Sequence, residues 1–325
     1  LKFGSVEVIP IAAESIGVRS LCTKVKTPDI TIILDPSAAL AKRHGLEPHP
    51  FEYQKLLEVL DTIFVESRKA SILSISHYHY DHVRPGFTNY RYNFSSREEL
   101  QRLFEGKLVL AKDYREHINP SQRRRGHYFK KDVSKVVKNI EWVDNQVFTF
   151  GDTTITYSQP LPHGPANTRM GFVLATVIEH EETRIVFAPD VQGPVVNTTL
   201  DFLLSKDADV MIVGGPPIYL SQWEKSDSDK ALHALSKIAL STHFLVVDHH
   251  LMRSNSWRNW LQPIKKTSSE WGHKVLTMAE LGNREIRCME ADRPDLYTSA
   301  SPSEDFMNWT KASDEYKMRN MPPLE

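Results

Sequence analysis

The stretch His77-Tyr78-His79-Tyr80-Asp81-His82 places three imidazoles and one carboxylate within six residues. Neutral imidazole with carboxylate suits zinc, iron or manganese; calcium and magnesium prefer shells made wholly of oxygen. Two such ions sharing a water lower its pKa towards neutrality, and the hydroxide so formed is a nucleophile. Read alone, the stretch points to a transition-metal site; if two ions bind, the chemistry would be hydrolysis without a serine or cysteine nucleophile, and no GxSxG elbow is present. The run Ala70-Ser71-Ile72-Leu73-Ser74-Ile75-Ser76 must position these residues, and it reads as a buried strand. Alternation puts His77 and His79 on one side of an extended chain, and a turn after them brings Asp81 and His82 round to a second centre. The same alternation sends Tyr78 and Tyr80 to the opposite face.

One such stretch supplies at most four ligands, so a two-metal site needs more. The same rule, a His or Asp at the end of a strand, finds His163 in Pro162-His163-Gly164-Pro165, Asp190 in Ala188-Pro189-Asp190, His249 and His250 after Val246-Val247-Asp248, and Asp35 after Ile33-Leu34. Prolines on both sides of His163 lower the entropy lost in ordering it. A lone strand-end Asp is usually a turn former. Several polar strand ends in one α/β chain can instead face one crevice.

The remaining elements support such a crevice. Strands are expected at 5–10, 19–25, 31–34, 71–76, 108–111, 146–150, 153–159, 172–178, 184–189, 209–213, 243–247 and 274–278. Helices are expected at 51–66, 96–105, 198–205, 228–241 and 255–270, with Asn197 capping the third and Ser226 or Ser228 the fourth. Hairpins at 146–159 and 172–189 alongside strand-helix-strand units give an α/β chain of two mixed sheets face to face with helices outside. Residues 1–289 read as one domain, and 290–325 as a tail on its surface or partly mobile.

The chain of 325 residues, 40% hydrophobic and 25% charged, has a globular composition. A net charge of −1 gives no global attraction for nucleic acid or membrane. The opening Leu1-Lys2-Phe3-Gly4 does not have the form of a signal peptide, and Cys22 and Cys288 read as buried thiols, so a cytoplasmic protein is expected. Residues 107–138 form a basic insertion holding Arg123, Arg124 and Arg125 with Tyr114, Tyr128 and Phe129 interleaved. As a functional arm it would hold an anionic substrate, nucleic acid included. Tyr80 at the mouth, Tyr219 after the Gly214-Gly215-Pro216-Pro217 loop, and Arg253 as an anion binder complete the substrate candidates.

In order, Asp35, His77-x-His79-x-Asp81-His82, His163, Asp190 and His249 resemble the metallo-β-lactamase-fold hydrolases over residues 30–250. Together with Gly214-Gly215-Pro216-Pro217 and Asp248-His249-His250, they are similar to an archaeal branch of uncharacterised hydrolases in that superfamily. The resemblance implies an αββα sandwich with two divalent metals at one edge, zinc foremost. His77, His79 and His163 would hold one metal and Asp81, His82 and His249 the other. Asp190 would bridge them, with Asp81 and Asp190 as the proton-handling carboxylates. Asp35 would fix a histidine tautomer, and His250 would support the site beside its neighbour. The B1 β-lactamases use a Cys ligand, and neither cysteine here has such a context. A full seven-ligand set points to phosphodiesters, thioesters or lactones. The expected function is a dinuclear hydrolase of phosphodiesters, nucleic acid among them. A lactonase or ester hydrolase is the alternative, and a non-catalytic binding protein is disfavoured by the complete ligand set.

Overall fold

The computed structural model describes residues 1–324. Its first seven strands form one sheet in sequence order: β1 (Lys2–Phe3), β2 (Val6–Pro10), β3 (Thr23–Lys26), β4 (Thr31–Leu34), β5 (Ile72–Ile75), β6 (Leu108–Ala111) and β7 (Asn139–Trp142). The chain then builds β8 (Val147–Phe150), β9 (Thr153–Tyr157), the short pair β10 (Leu161–Pro162) and β11 (Phe172–Val173), β12 (Thr176–His180), β13 (Thr183–Ala188), β14 (Val210–Gly214), β15 (Phe244–Asp248) and β16 (Lys274–Leu276). The second seven-stranded sheet runs β16-β15-β14-β13-β12-β9-β8. Each sheet is an antiparallel meander that turns parallel at its fourth strand, β4 in one and β13 in the other. The two halves thus share a topology that the sequence does not display as a repeat.

The sheets pack face to face, and the side-chain period of two decides which face each residue meets. On β14, Val210 and Ile212 join the core shared with the first sheet, whereas Met211 and Val213 join a second core under the helices. The parallel strands β5 and β14 are buried throughout, as strands covered on both faces must be. Helices α1 (Pro50–Lys69), α2 (Arg97–Phe104) and α3 (Pro120–Val133) follow strands of the first sheet, and α4 (Asn197–Leu204), α5 (Lys225–Ser241) and α6 (Trp257–Glu270) those of the second. The chain ends in α7 (Met278–Leu281), α8 (Met289–Ser299), α9 (Glu304–Lys311) and α10 (Asp314–Arg319). No helix of the described residues is long and apolar enough to cross a membrane.

Three readings from sequence need correction. The caps of α4 and α5 are Val196 and Glu224, not Asn197 or a serine. Residues 107–138 are not an inserted arm but contain β6 and α3 and belong to the first sheet's parallel half. Lys112, within that stretch, is fully buried and bonds Asp144 at 2.5 Å. The segment after 289 is three helices whose Phe306 and Trp309 enter the main core. Short helices with few apolar residues give little periodicity, and ion pairs such as Arg293–Glu52 and Lys317–Glu47 hold them alongside those two rings.

Candidate metal centre

The functional side chains collect where the C-terminal ends of β4, β5, β13 and β15 meet at one edge of the sandwich. His79 through His82 form the expected turn, since His82 and Val83 both donate backbone bonds to the His79 carbonyl at 2.9 Å. That turn places His77 and His79 against His163, and Asp81 and His82 against His249. His163 does not follow β9 directly but leaves the short strand β10. Asp35, Asp190 and His249 have positive φ angles of 50, 47 and 65°. An L-residue there costs about 1–2 kcal/mol, so the surrounding structure imposes these conformations against local preference.

Asp190 lies at the centre. Its Oδ2 is 3.0 Å from His77 Nε2, 2.8 Å from His82 Nε2 and 3.6 Å from His163 Nε2. Its Oδ1 is 2.9 Å from His249 Nε2 and 2.7 Å from His250 Nε2. Asp81 Oδ2 is 3.8 Å from His249 Nε2. His77 Nε2 and His79 Nδ1 are 3.1 Å apart, as are His82 Nε2 and His249 Nε2 at 3.2 Å. Like nitrogens converge this closely where a cation or a shared proton lies between them.

The outer nitrogen of each ring is already engaged. His82 Nδ1 is 2.8 Å from Asp35 Oδ2, and His77 Nδ1 is 2.9 Å from Ser76 Oγ, which donates to the same Asp35 oxygen at 2.6 Å. His249 Nδ1 is 2.8 Å from Glu14 Oε2. Gln192 Nε2 is 3.3 Å from His163 Nδ1, and Gln122 Nε2 is 3.5 Å from His79 Nε2. The oxygens of Asp35, Ser76 and Glu14 accept from their histidines, which fixes those rings and leaves the inner nitrogens their lone pairs, whereas the two glutamine amides approach His163 and His79 as donors. Among the described residues, His163 Nε2 is buried with no hydrogen-bond partner. A buried donor or acceptor left unmet costs about 1–3 kcal/mol, and a cation would satisfy this one.

The titration pattern describes the same cluster without a cation. Burial, with His82 alongside, pushes His77 down to about 4. Burial and His77 also hold His79 well below its ordinary value, as burial and Arg253 do for His250. Burial opposes charge on His249, yet Glu14 and Asp190 raise it to about 9. His82 is likewise raised against burial by Asp190 and Asp81. Burial opposes ionisation of Asp190, but His249, His82 and His163 keep its carboxyl well below the usual range. Protons on two imidazoles thus offset the carboxylates, a task a divalent cation can take over. The donor set fits two such ions.

Glu14 was not legible in the sequence. It sits in a 3-10 turn at Glu14–Ile16 that carries no metal-like motif. Besides orienting His249, it holds Arg253 through Oε1 at 2.6 Å. Arg253 is buried and also approaches Asp81 Oδ2 at 3.4 Å and the Tyr219 hydroxyl at 3.4 Å. The guanidinium proposed from sequence as an anion binder is therefore occupied by this chain's own carboxylates. Tyr219 is a second step away from the centre, with Arg43 stacked 3.9 Å above its ring. Glu14→Gln is expected to lower metal affinity about 10–100-fold, measured by competition with a chromophoric chelator; an unchanged affinity would remove Glu14 from the centre.

The other substrate candidates divide. Tyr78 is buried and donates to the Lys112 carbonyl at 2.6 Å. Tyr80 is partly exposed under the Arg125 guanidinium at 4.4 Å, and both line a cleft with Arg124. Arg123 is exposed and does not line that cleft, because successive residues on a helix diverge by about 100°.

No protein-family model matches the chain. Among curated proteins it is 38% identical over 292 residues to a UPF0282 protein of Methanopyrus kandleri, covering 89% of this chain and 98% of the relative. The chain belongs to the UPF0282 family. A UPF0282 protein of Methanocaldococcus jannaschii is 36% identical, with 86% of this chain and 96% of the relative covered. The fold of this UPF0282 protein is similar to that of YhfI from Bacillus subtilis, described as a metallo-β-lactamase fold protein. That match has a TM-score of 0.50 at 15% identity and covers 84% of this chain and 96% of the other. The UPF0282 chain thus has the metallo-β-lactamase fold, with two mixed sheets flanked by helices.

Proposed function

We propose that this protein is a hydrolase using two divalent transition metals and acting on phosphodiesters. His77, His79 and His163 would hold one ion, Asp81, His82 and His249 the other, with Asp190 between them. The observation that carries the reading is the set of inward-facing imidazole nitrogens around Asp190, with outer nitrogens already bonded and His163 Nε2 left unmet. When bound, such ions lower the pKa of water towards neutrality and polarise the scissile group. Asp81 and Asp190 stand at the centre as carboxylates able to accept the proton of the attacking water. Arg253, with Glu14, restrains Asp81 through the 3.4 Å contact. His250 bonds Asp190 at 2.7 Å and limits how that carboxylate rotates.

Lactones and thioesters can use the same activated water, so the choice rests on the surroundings. The cleft lined by Tyr80 carries Arg124 and Arg125, cations suited to a phosphodiester rather than to a neutral lactone. Metal analysis and parallel rates on a bis-aryl phosphodiester and an acyl-homoserine lactone test this. Two metals per chain with faster phosphodiester cleavage are expected. Fewer than one metal after reconstitution would end the hydrolase reading, and faster lactone opening would move the substrate to carbon esters.

A further inference from the structure

We propose that the cleft between the Pro85–Phe87 segment and α3 is a pocket for the heterocyclic base of a nucleotide, whose phosphate faces the metal motif. The proposal rests on the phosphodiester reading for what lies at the metal end, not for what fills the cleft. The cleft has a volume of about 390 Å³, within the usual range for small-molecule sites. Tyr80 lines it and stands between His79 and Asp81 in the chain, so the cleft adjoins the metal motif in sequence.

Its walls are aromatic in a way that the core does not require. Phe87 and Tyr128 are 40% and 52% exposed, and both line this one cleft. The Phe87 ring meets Tyr80 edge-on, with centroids 5.6 Å apart. Aromatic faces left open beside arginines are the usual platform for stacked bases. Arg125 already covers one face of Tyr80, whereas Arg124 is exposed and forms no ion pair among the described residues. Arg124 is thus free to meet a phosphate.

The inner wall is polar and buried, which separates this cleft from a site for an acyl chain. Arg84 is 1% exposed and spends its Nη1 and Nη2 on the carbonyls of Asn93 and Phe94 at 2.8 and 2.7 Å. Its Nε is buried without a partner among the described residues. Asp132 is 7% exposed, and its Oδ1 pairs with Arg97 Nε at 3.1 Å. Its Oδ2 lies so close over Gly86 that an added Cβ would sit 2.2 Å from it. A guanidinium N–H without a partner and a carboxylate oxygen lining one cleft match the edge of a base, which offers both a lone pair and an N–H. A sugar phosphate has no ring to stack, and phenyl phosphate has no such edge.

Calorimetry on the purified full chain, using guanosine and uridine monophosphates, phenyl phosphate and ribose 5-phosphate, tests the pocket. At least one nucleotide is expected to bind about tenfold or more tighter than ribose 5-phosphate, with phenyl phosphate between them. Tyr128→Ala and Gly86→Ala are expected to remove that preference, Tyr128→Phe to keep it, and Arg124→Ala to weaken all four ligands. Equal affinity for nucleotides and ribose 5-phosphate would overturn the base pocket. Nucleotide binding by a protein that cleaves no phosphodiester would keep the pocket and remove the phosphodiester reading. Phosphodiester cleavage with no nucleotide binding at millimolar concentration would remove the pocket alone.

Discussion

Asp190→Asn is expected to lower phosphodiester turnover about a thousandfold and to reduce bound metal from two ions per chain to one or fewer. The carboxylate meets His77 and His82 through one oxygen and His249 and His250 through the other. Among the described residues, no other carboxylate pairs within 4.0 Å with imidazoles of both halves. An amide keeps the shape but loses the negative charge that would lie between two cations, and a metal's contribution of several kcal/mol corresponds to this scale of rate loss. Asparagine is also the right substitute for the backbone. Asp190 has φ 47°, a conformation that asparagine tolerates and alanine does not. Asp190→Ala would therefore mix strain with the loss of a ligand. Metal content by mass spectrometry, with circular dichroism as a check on folding, separates the two. An Asn variant that keeps both metals and full turnover would remove Asp190 from the centre and leave its five imidazole contacts without a purpose.

How much of this was legible in the sequence follows from how local each signal is. His77 to His82 declare themselves because strand and turn are both contained in one short stretch. His163, Asp190 and His249 could be found because each ends an apolar run. Glu14 could not, since its contact with His249 spans 235 residues of chain and its own segment is a turn. Arg253 reads from its place soon after His249-His250 as an anion binder, and only the fold reveals the carboxylates that occupy it. Helix α3 went unread because its buried positions, Gln122, Gly126, Phe129, Asp132 and Val133, include only two large apolar residues. Its polar Gln122 faces inward to hold the Tyr78 backbone at 3.1 Å and to approach His79. The sequence pattern thus fails where a helix serves the site rather than the core.

The C-terminal helices make the same point about stability. Arg293→Ala is expected to destabilise the protein by about 3–5 kcal/mol, the scale for removing one partner of a buried ion pair. Arg293 and Glu52 are both fully buried and meet twice, at 2.7 and 2.8 Å. Arg293 also donates to the carbonyls of Ala41 and Leu46 at 2.9 and 3.2 Å, so its loss leaves three groups unmet. Glu52 closes the capping box of α1 by accepting from His49 N at 2.7 Å, which ties that helix start to α8. Burial already raises the Glu52 carboxyl above its usual value, with Arg293 opposing. Without Arg293 the carboxyl rises further and takes up a proton more readily in the folded state. A raised folded-state value favours folding at low pH and loses that favour as pH rises. The deficit of the variant should therefore be full at neutral pH and shrink as pH falls into the carboxylate range. Urea denaturation at several pH values measures this, and Glu52→Leu with Arg293→Leu should recover much of the loss. A single variant within about 0.5 kcal/mol of the parent, the ordinary range for surface changes, would mean that α8 is not anchored there. The anchor bears on the centre because Glu290, on the same helix, binds Arg19 at 2.6 Å and Arg43 at 3.3 Å. Arg43 stacks on Tyr219, whose hydroxyl meets Arg253, and Arg253 reaches Asp81. The helices that the sequence presents as a tail thus support, through four side chains, a carboxylate of the metal centre.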